Sequence, residues 1–172
     1  PEAKVAVFDS LSTGPELRLI LEKLQECLGA GLEFERTVQQ VKDYQKRTGL
    51  LFCLHSLHNM AQNGRVSKVA AAAVGVLGIR VVGTASPEGT LAQLAKCRGD
   101  RKALPELIEQ LRLADYAGGK ARITHVNNPA LADTLRGQLL AAWPQADVAV
   151  APSTGLCSYY AESGAIMVGF ER

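Results

Sequence analysis

The chain has 172 residues, of which 47% are hydrophobic and 21% charged, enough material for a soluble domain with a sizeable core. Its 19 basic and 17 acidic residues leave a net charge of +2 with no basic segment, and only 5% of residues are aromatic, which argues against nucleic-acid or membrane-surface binding. The apolar run at 69–79 is too short and too rich in Ala and Gly to span a bilayer. Cys27, Cys53, Cys97 and Cys157 lie far apart with no CxxC pair, and read as buried thiols of a reducing, cytoplasmic compartment.

In chain order, residues 4–9 are mostly apolar and predict a strand buried on both faces. A chain that starts at Pro1, directly ahead of a strand, reads as a cut inside a longer protein. Pro15 suits a first helical turn, and Leu17, Ile20, Leu21, Leu24 and Leu28 recur at helical spacing before Gly29 and Gly31 end the helix. Phe34, Val38, Val41 and Tyr44 repeat the pattern, with Gly49 as the stop and residues 50–54 as the next strand. Residues 79–84 and 90–97 predict a hairpin around the turn at Ser86, Pro87, Glu88 and Gly89, followed by a polar connection at 98–102. Leu104, Leu107, Ile108 and Leu111 mark a helix, 121–126 a strand, and Asn128-Pro129 the start of a helix carrying Leu131, Leu135 and Leu139. Residues 148–151 predict a strand, 153–161 a capped turn or short helix, and 165–170 the last strand. Helices alternating with strands, plus one hairpin, give an α/β fold: a mixed β-sheet with helices packed on it.

The stretch 51–82 is the most unusual. It crosses a turn at Asn63-Gly64, presents Arg65, Ser67 and Lys68, and continues into an uncharged run of small residues. Cations at the start of a helix oppose its dipole, so an arriving anion would complement them; the bland alternative is a solvated turn before a buried helix. His55 and His58 form an HxxH near Cys53, but neither a third ligand nor a HExxH pattern accompanies them, and ordinary surface histidines explain the pair better. Cys157, flanked by Gly155, invites a nucleophile reading, against which stands a small buried thiol in a tight turn. Residues 10–14 lack a phosphate-loop pattern, and Asp9 reads as a cap or loop anchor.

The run LHNMAQNGRVSK at 57–68 contains G-R-V-S-K ahead of a small-residue helix. Leu77-Gly78-Ile79-Arg80-Val81-Val82, the turn at 87–89, Lys96-Cys97-Arg98-Gly99 and Lys102-Ala103 follow in order, and Val7-Phe8-Asp9-Ser10 with Ser12 and Gly14 precedes them. In these motifs the chain resembles the DegV family. The resemblance implies a DegV-like fold and a carrier rather than a catalyst. One long-chain fatty acid is enclosed between two α/β domains, with no metal and no cofactor besides the acid, and some members present it to a fatty-acid kinase. It further implies that residues 1–172 are the C-terminal portion, with the N-terminal head-group half absent. Where the family carries a His followed by G-P-G, this chain has Tyr160-Ala161-Glu162-Ser163-Gly164. A phenol there can donate a hydrogen bond to a carboxylate but supplies no titratable positive charge.

The lipid-binding residues expected are Arg65, Ser67, Ala71, Val74, Leu77, Ile79, Val81, Tyr160 and Gly164; the resemblance implies Arg65 and the Tyr160 position, while the uncharged face at Ala71, Val74 and Leu77 and the strand at Ile79 and Val81 read equally as pocket wall or as plain core. Burying an acyl tail contributes about 0.8 kcal/mol per methylene, against roughly 1.5 to 3 kcal/mol for one charge-assisted bond to its head, so the tail dominates affinity. Two other classes stay open: a small cytoplasmic enzyme using Cys157 or the His55/His58 pair, and an interaction domain with no ligand.

Overall fold

The computed structural model describes residues 3–67, 74 and 78–172. A six-stranded sheet of order β3-β2-β1-β6-β4-β5 forms its centre. The strands are β1 Thr48–Leu54, β2 Ile79–Ala85, β3 Leu91–Arg98, β4 Lys120–His125, β5 Asp147–Pro152 and β6 Ile166–Glu171. All neighbours are antiparallel except β4 and β5, which are parallel and joined through a helix. The described helices are α1 Gly14–Gly29, α2 Phe34–Gln45, α3 His58–Gln62, α4 Asp100–Leu113, α5 Pro129–Ala142 and α6 Gly155–Ala161.

Every residue of β1 is buried, because it has a strand on each side and a layer on each face. Alternation along the strand then divides the core in two. Leu51 and Cys53 join Val82, Ile123, Ile166, Val168 and Phe170 beneath α4 and α5. Leu50, Phe52 and Leu54 face the other way with Val81, Ala165 and Met167, where α1, α3 and α6 lie. The second face is the one that builds a cavity.

The docking of α1 across β6 depends on a residue without a side chain. A Cβ at Gly169 would lie 2.4 Å from the backbone nitrogen of Glu16, so only glycine lets the first turn of α1 sit directly on the strand. The Glu16 carboxylate then reaches β1, accepting from Thr48 Oγ1 at 2.8 Å and from Ser12 Oγ. Farther along, α1 is fastened by charge. Arg122, 6% exposed, donates through Nε and Nη2 to Glu22 at 2.8–3.0 Å and through Nη2 to Asp147 at 2.9 Å, tying the helix to β4 and β5 together.

Three expectations need correction. Residues 4–9 form no strand: Val5 and Val7 are 80% and 85% exposed, and the segment is held beside α2 by the Lys4–Glu35 ion pair and by Gln45 Nε2 donating to the Asp9 carbonyl. A strand-like pattern needs a sheet edge to pair with, and here a helix occupies the adjacent space. Gly49 does not stop the second helix but lies inside β1, where its bare Cα accepts the ring of Phe170 from the paired strand. The fourth helix begins at Asp100, within the connection expected at 98–102. The uncharged helix expected after Ser67 lies outside the described residues, apart from Val74.

Hydrogen bonds from Arg122 hold the Glu22 and Asp147 carboxyls below their ordinary values of 4.5 and 3.8. Carboxyls that resist protonation when folded stabilise the protein fully above those values and cease to do so as acid protonates them. Urea-unfolding free energy should therefore fall steeply once the pH drops below about 4.5. Arg122→Leu should cost about 3 kcal/mol near neutrality and make that acid limb shallower. An unchanged limb in the variant would show that other carboxyls govern it.

Candidate functional site

On the second face of the sheet, Leu50, Phe52 and Leu54 of β1 and Met167 of β6 form a floor. Leu156, Cys157, Tyr160 and Ala161 of α6 form the roof, Met60 of α3 closes one side, and Thr13 and Leu91 contribute to the rim. The cavity, partly open to solvent, is about 90 Å³ and its lining is almost wholly carbon and sulfur. Thr13 Oγ1 and Cys157 Sγ sit 3.0 Å apart, and Tyr160 is the other hydroxyl-bearing residue of the lining. An apolar slot with a few polar atoms at its margin suits a hydrocarbon ligand with one polar end.

Polar bonds between α3 and α6 hold the roof in place. The backbone nitrogen of Asn59 donates to Glu162 Oε1 at 2.9 Å, Asn59 Nδ2 to the Tyr159 carbonyl at 2.8 Å, and Asn63 Nδ2 to the Tyr159 hydroxyl at 3.1 Å. Glu162 has φ 61°, a conformation costly for a residue with a side chain, and its carboxylate satisfies an amide at the start of α3. Sequence reasoning missed this clasp, since Asn63 read only as part of a turn and Asn59 was not singled out. Their spacing of four, which places them on one helix face, is the signal that could have found them.

Behind the slot, the turn entering β6 packs against His55. Gly164 has φ 95°, and a Cβ there would meet His55 Nδ1 at 2.3 Å. His55 Nε2 lies 2.9 Å from Asp100 Oδ1 but out of line for a hydrogen bond, while Arg80 Nε donates to the same oxygen at 2.6 Å. Burial pushes the His55 pKa down more than Asp100 raises it, so the ring is neutral near pH 7. Burial also acts to raise Asp100, but the bond from Arg80 and the charges of Arg80 and His55 close by outweigh it and leave the carboxyl below its ordinary value.

Of the residues expected to bind lipid, Tyr160 lines the slot, and Val74 and Val81 are buried in the cluster that backs its floor. Arg65 and Ser67 are exposed just beyond α3, and Gly164 lies beneath His55. Ile79 faces a different cavity, of about 320 Å³, beside Lys96, Cys97 and Arg98. Ala71 and Leu77 lie outside the described residues. Sequence reasoning missed Phe52, Met60, Cys157 and Met167 as slot residues. A larger open bowl of about 540 Å³ on the far side of Leu50 is more polar, with Glu16, Thr48, Gln45 and Arg172 among its walls.

The groups named for catalysis are not assembled. Thr13, not a histidine, stands beside Cys157, while His125 Nδ1 accepts from the Asn128 amide and exposed His58 faces Gln62 at 3.5 Å. No cluster of three or more His, Cys, Asp or Glu able to hold a metal occurs among the described residues.

A family model described as an uncharacterised protein, DegV family, matches residues 1–172. The chain belongs to the DegV family. It is 42% identical over 171 residues to a DegV domain-containing protein of Streptococcus pneumoniae, covering 99% of this chain and 61% of that protein. Among solved structures it is similar, at TM-score 0.94 and 52% identity, to a DegV family protein from Eubacterium eligens loaded with heptadecanoic acid, covering 98% of this chain and 61% of that one. It is equally similar in fold, at TM-score 0.94 and 42% identity, to the Fatty Acid Kinase (Fak) B3 protein of S. pneumoniae loaded with linoleic acid, covering 98% and 60%. This DegV chain thus spans about three-fifths of its relatives' length. No helix among the described residues is long and apolar enough to cross a membrane.

Replacing Glu162 tests the clasp. Glu162→Ala keeps the strained φ and removes the carboxylate from the Asn59 amide, so unfolding free energy should drop by about 1.5 to 3 kcal/mol. Glu162→Gly, which relieves the strain, should lose less. Equal losses in denaturant titrations would show that the carboxylate bond, not the backbone, sets the cost.

Proposed function

We propose that this DegV chain supplies one wall of a binding site for a long-chain fatty acid and acts as a carrier rather than a catalyst. The apolar slot under α6 carries this reading: its floor, roof and sides expose almost only carbon and sulfur, with Thr13 and Tyr160 as the lining residues that carry a hydroxyl. The acids held by the two similar solved structures support the same ligand class.

A cavity of about 90 Å³ has room for roughly three water-sized groups, far less than a long acyl chain occupies. The remaining methylenes lie against the mouth of the slot, where Leu156 and Leu91 are 69% and 41% exposed. On this reading the other side belongs to the portion of the relatives' length that this chain does not span, with residues 1–172 as the C-terminal portion of the binding unit. Tail burial fixes affinity, while the Tyr160 hydroxyl and Thr13 are the nearby donors for a carboxylate head. Arg65, exposed at the end of the α3 turn, is the residue this reading assigns to the contact with a fatty-acid kinase that receives the acid. Four free cysteines fit a reducing cytoplasm.

Native mass spectrometry of the full-length protein should show one long-chain fatty acid bound. Cys157→Phe, which projects a ring into the slot, should lower occupancy by about tenfold or more. Arg65→Ala should leave occupancy unchanged and slow acyl-phosphate formation by the kinase. A protein that never carries a fatty acid refutes the reading, and undiminished acyl-phosphate formation by the Arg65 variant removes Arg65 from the kinase contact.

A further inference from the structure

Phe52 and Gly83 are directly opposed across the β1–β2 ladder. A Cβ at Gly83 would lie 2.4 Å from Phe52 Cζ and 2.5 Å from Cε2, so the far edge of the ring occupies the space a side chain would take on the neighbouring strand. The ring lies down across β2 instead of standing away from the sheet. Next to it the β2–β3 ladder shifts register between Val82 and Gly83. Phe52 is at once 4% exposed and part of the slot floor, so how far its ring lies down fixes how much room is left beneath α6.

We propose that the Phe52–Gly83 pair is the depth gauge of the slot and selects the length of the acyl tail it accepts. The inference rests on the fatty-acid reading above and adds to it the residues that set specificity. A side chain at position 83 displaces the ring away from β2, toward its floor neighbour Met167 and toward Met60 at the side, and shallows the slot. A smaller residue at position 52 deepens it. Each methylene refused weakens binding about fourfold, so refusing the roughly three groups the cavity holds amounts to about 50-fold.

The test is a competition among saturated acids from lauric to arachidic, read by native mass spectrometry on the full-length protein, with melting temperatures recorded in parallel. Gly83→Ala should shift the preferred acid to a shorter chain and lower the stearate-to-myristate ratio by up to about 50-fold. Phe52→Leu should shift preference to longer chains, and the double variant should return toward the wild-type profile. The Ala92 carbonyl oxygen also lies 2.5 Å from the new methyl, so Phe52→Leu, which presses on no backbone, decides the question if Gly83→Ala does not fold. A pair with a packing role alone would lower the melting temperature and leave the chain-length profile unmoved, and that result overturns the gauge. A wild-type protein that binds no acid overturns the fatty-acid reading and the gauge with it, whereas a wild-type protein that binds acids indifferent to the Phe52 change overturns the gauge alone.

Discussion

Strand β1 is buried along its whole length and on both sides, and this single constraint propagates outward through the molecule. A strand in that position must be apolar throughout, which Leu50, Leu51, Phe52, Cys53 and Leu54 satisfy, and its alternation sends side chains into two separate cores. On the side of α4 and α5 those chains meet Leu107, Leu111, Leu135 and Leu139, all fully buried, and the packing closes. On the other side, among the described residues, long α1 lies chiefly over β6 and β4, and the short α3 and α6 stand over the apolar residues of β1. The slot lies between that floor and α6.

Short helices are weak structures on their own, because nucleation costs are repaid only over several turns. Their positions therefore have to be fixed from outside. The bonds from Asn59 and Asn63 to Glu162 and Tyr159 do this across α3 and α6, and the His55 ring set against Gly164 fixes the turn where α6 returns to the sheet. Two residues in left-handed backbone, Glu162 and Gly164, lie within that turn. Local strain concentrated next to an open apolar cavity is the pattern expected where a fold is organised around a ligand.

Much of the architecture was legible in the sequence because its helices carry clear apolar stripes and its strands are short runs between turn residues. The hairpin at Ser86–Gly89, the paired helices α1 and α2, and the final strand all follow from those local signals. Residues 4–9 misled because the pattern of a buried strand says nothing about whether a partner strand is present. The site was less legible. Its roof residues, Leu156, Cys157 and Tyr160, stand some 100 positions from its floor at Leu50 and Phe52, and no spacing rule links segments brought together only by the sheet order. Tyr160 was found through a family motif, while Phe52, Met60 and Met167 look like ordinary core until the gap above them is seen. The HxxH spacing was a weak guide for a related reason: it puts two rings on one face only along a continuous helix, and His55 precedes the start of α3.

The same cross-strand device occurs on both faces of β1 with different outcomes. Gly49 receives the ring of Phe170 and Gly83 receives the ring of Phe52, each from the directly paired residue of the next strand. Phe170 is braced by the edge of Tyr116, with ring centroids 6.1 Å apart, so its position is over-determined by neighbours in the core. Phe52 is pressed from below by the backbone of β2 but looks out onto the cavity beneath α6. A ring held on one face and free on the other responds to whatever fills that cavity, because dense packing transmits displacement where an empty space absorbs it. Aromatic–glycine pairing is thus a fixed joint on one side of the sheet and an adjustable surface on the other, and the difference arises from the cover above the strand rather than from the pair itself.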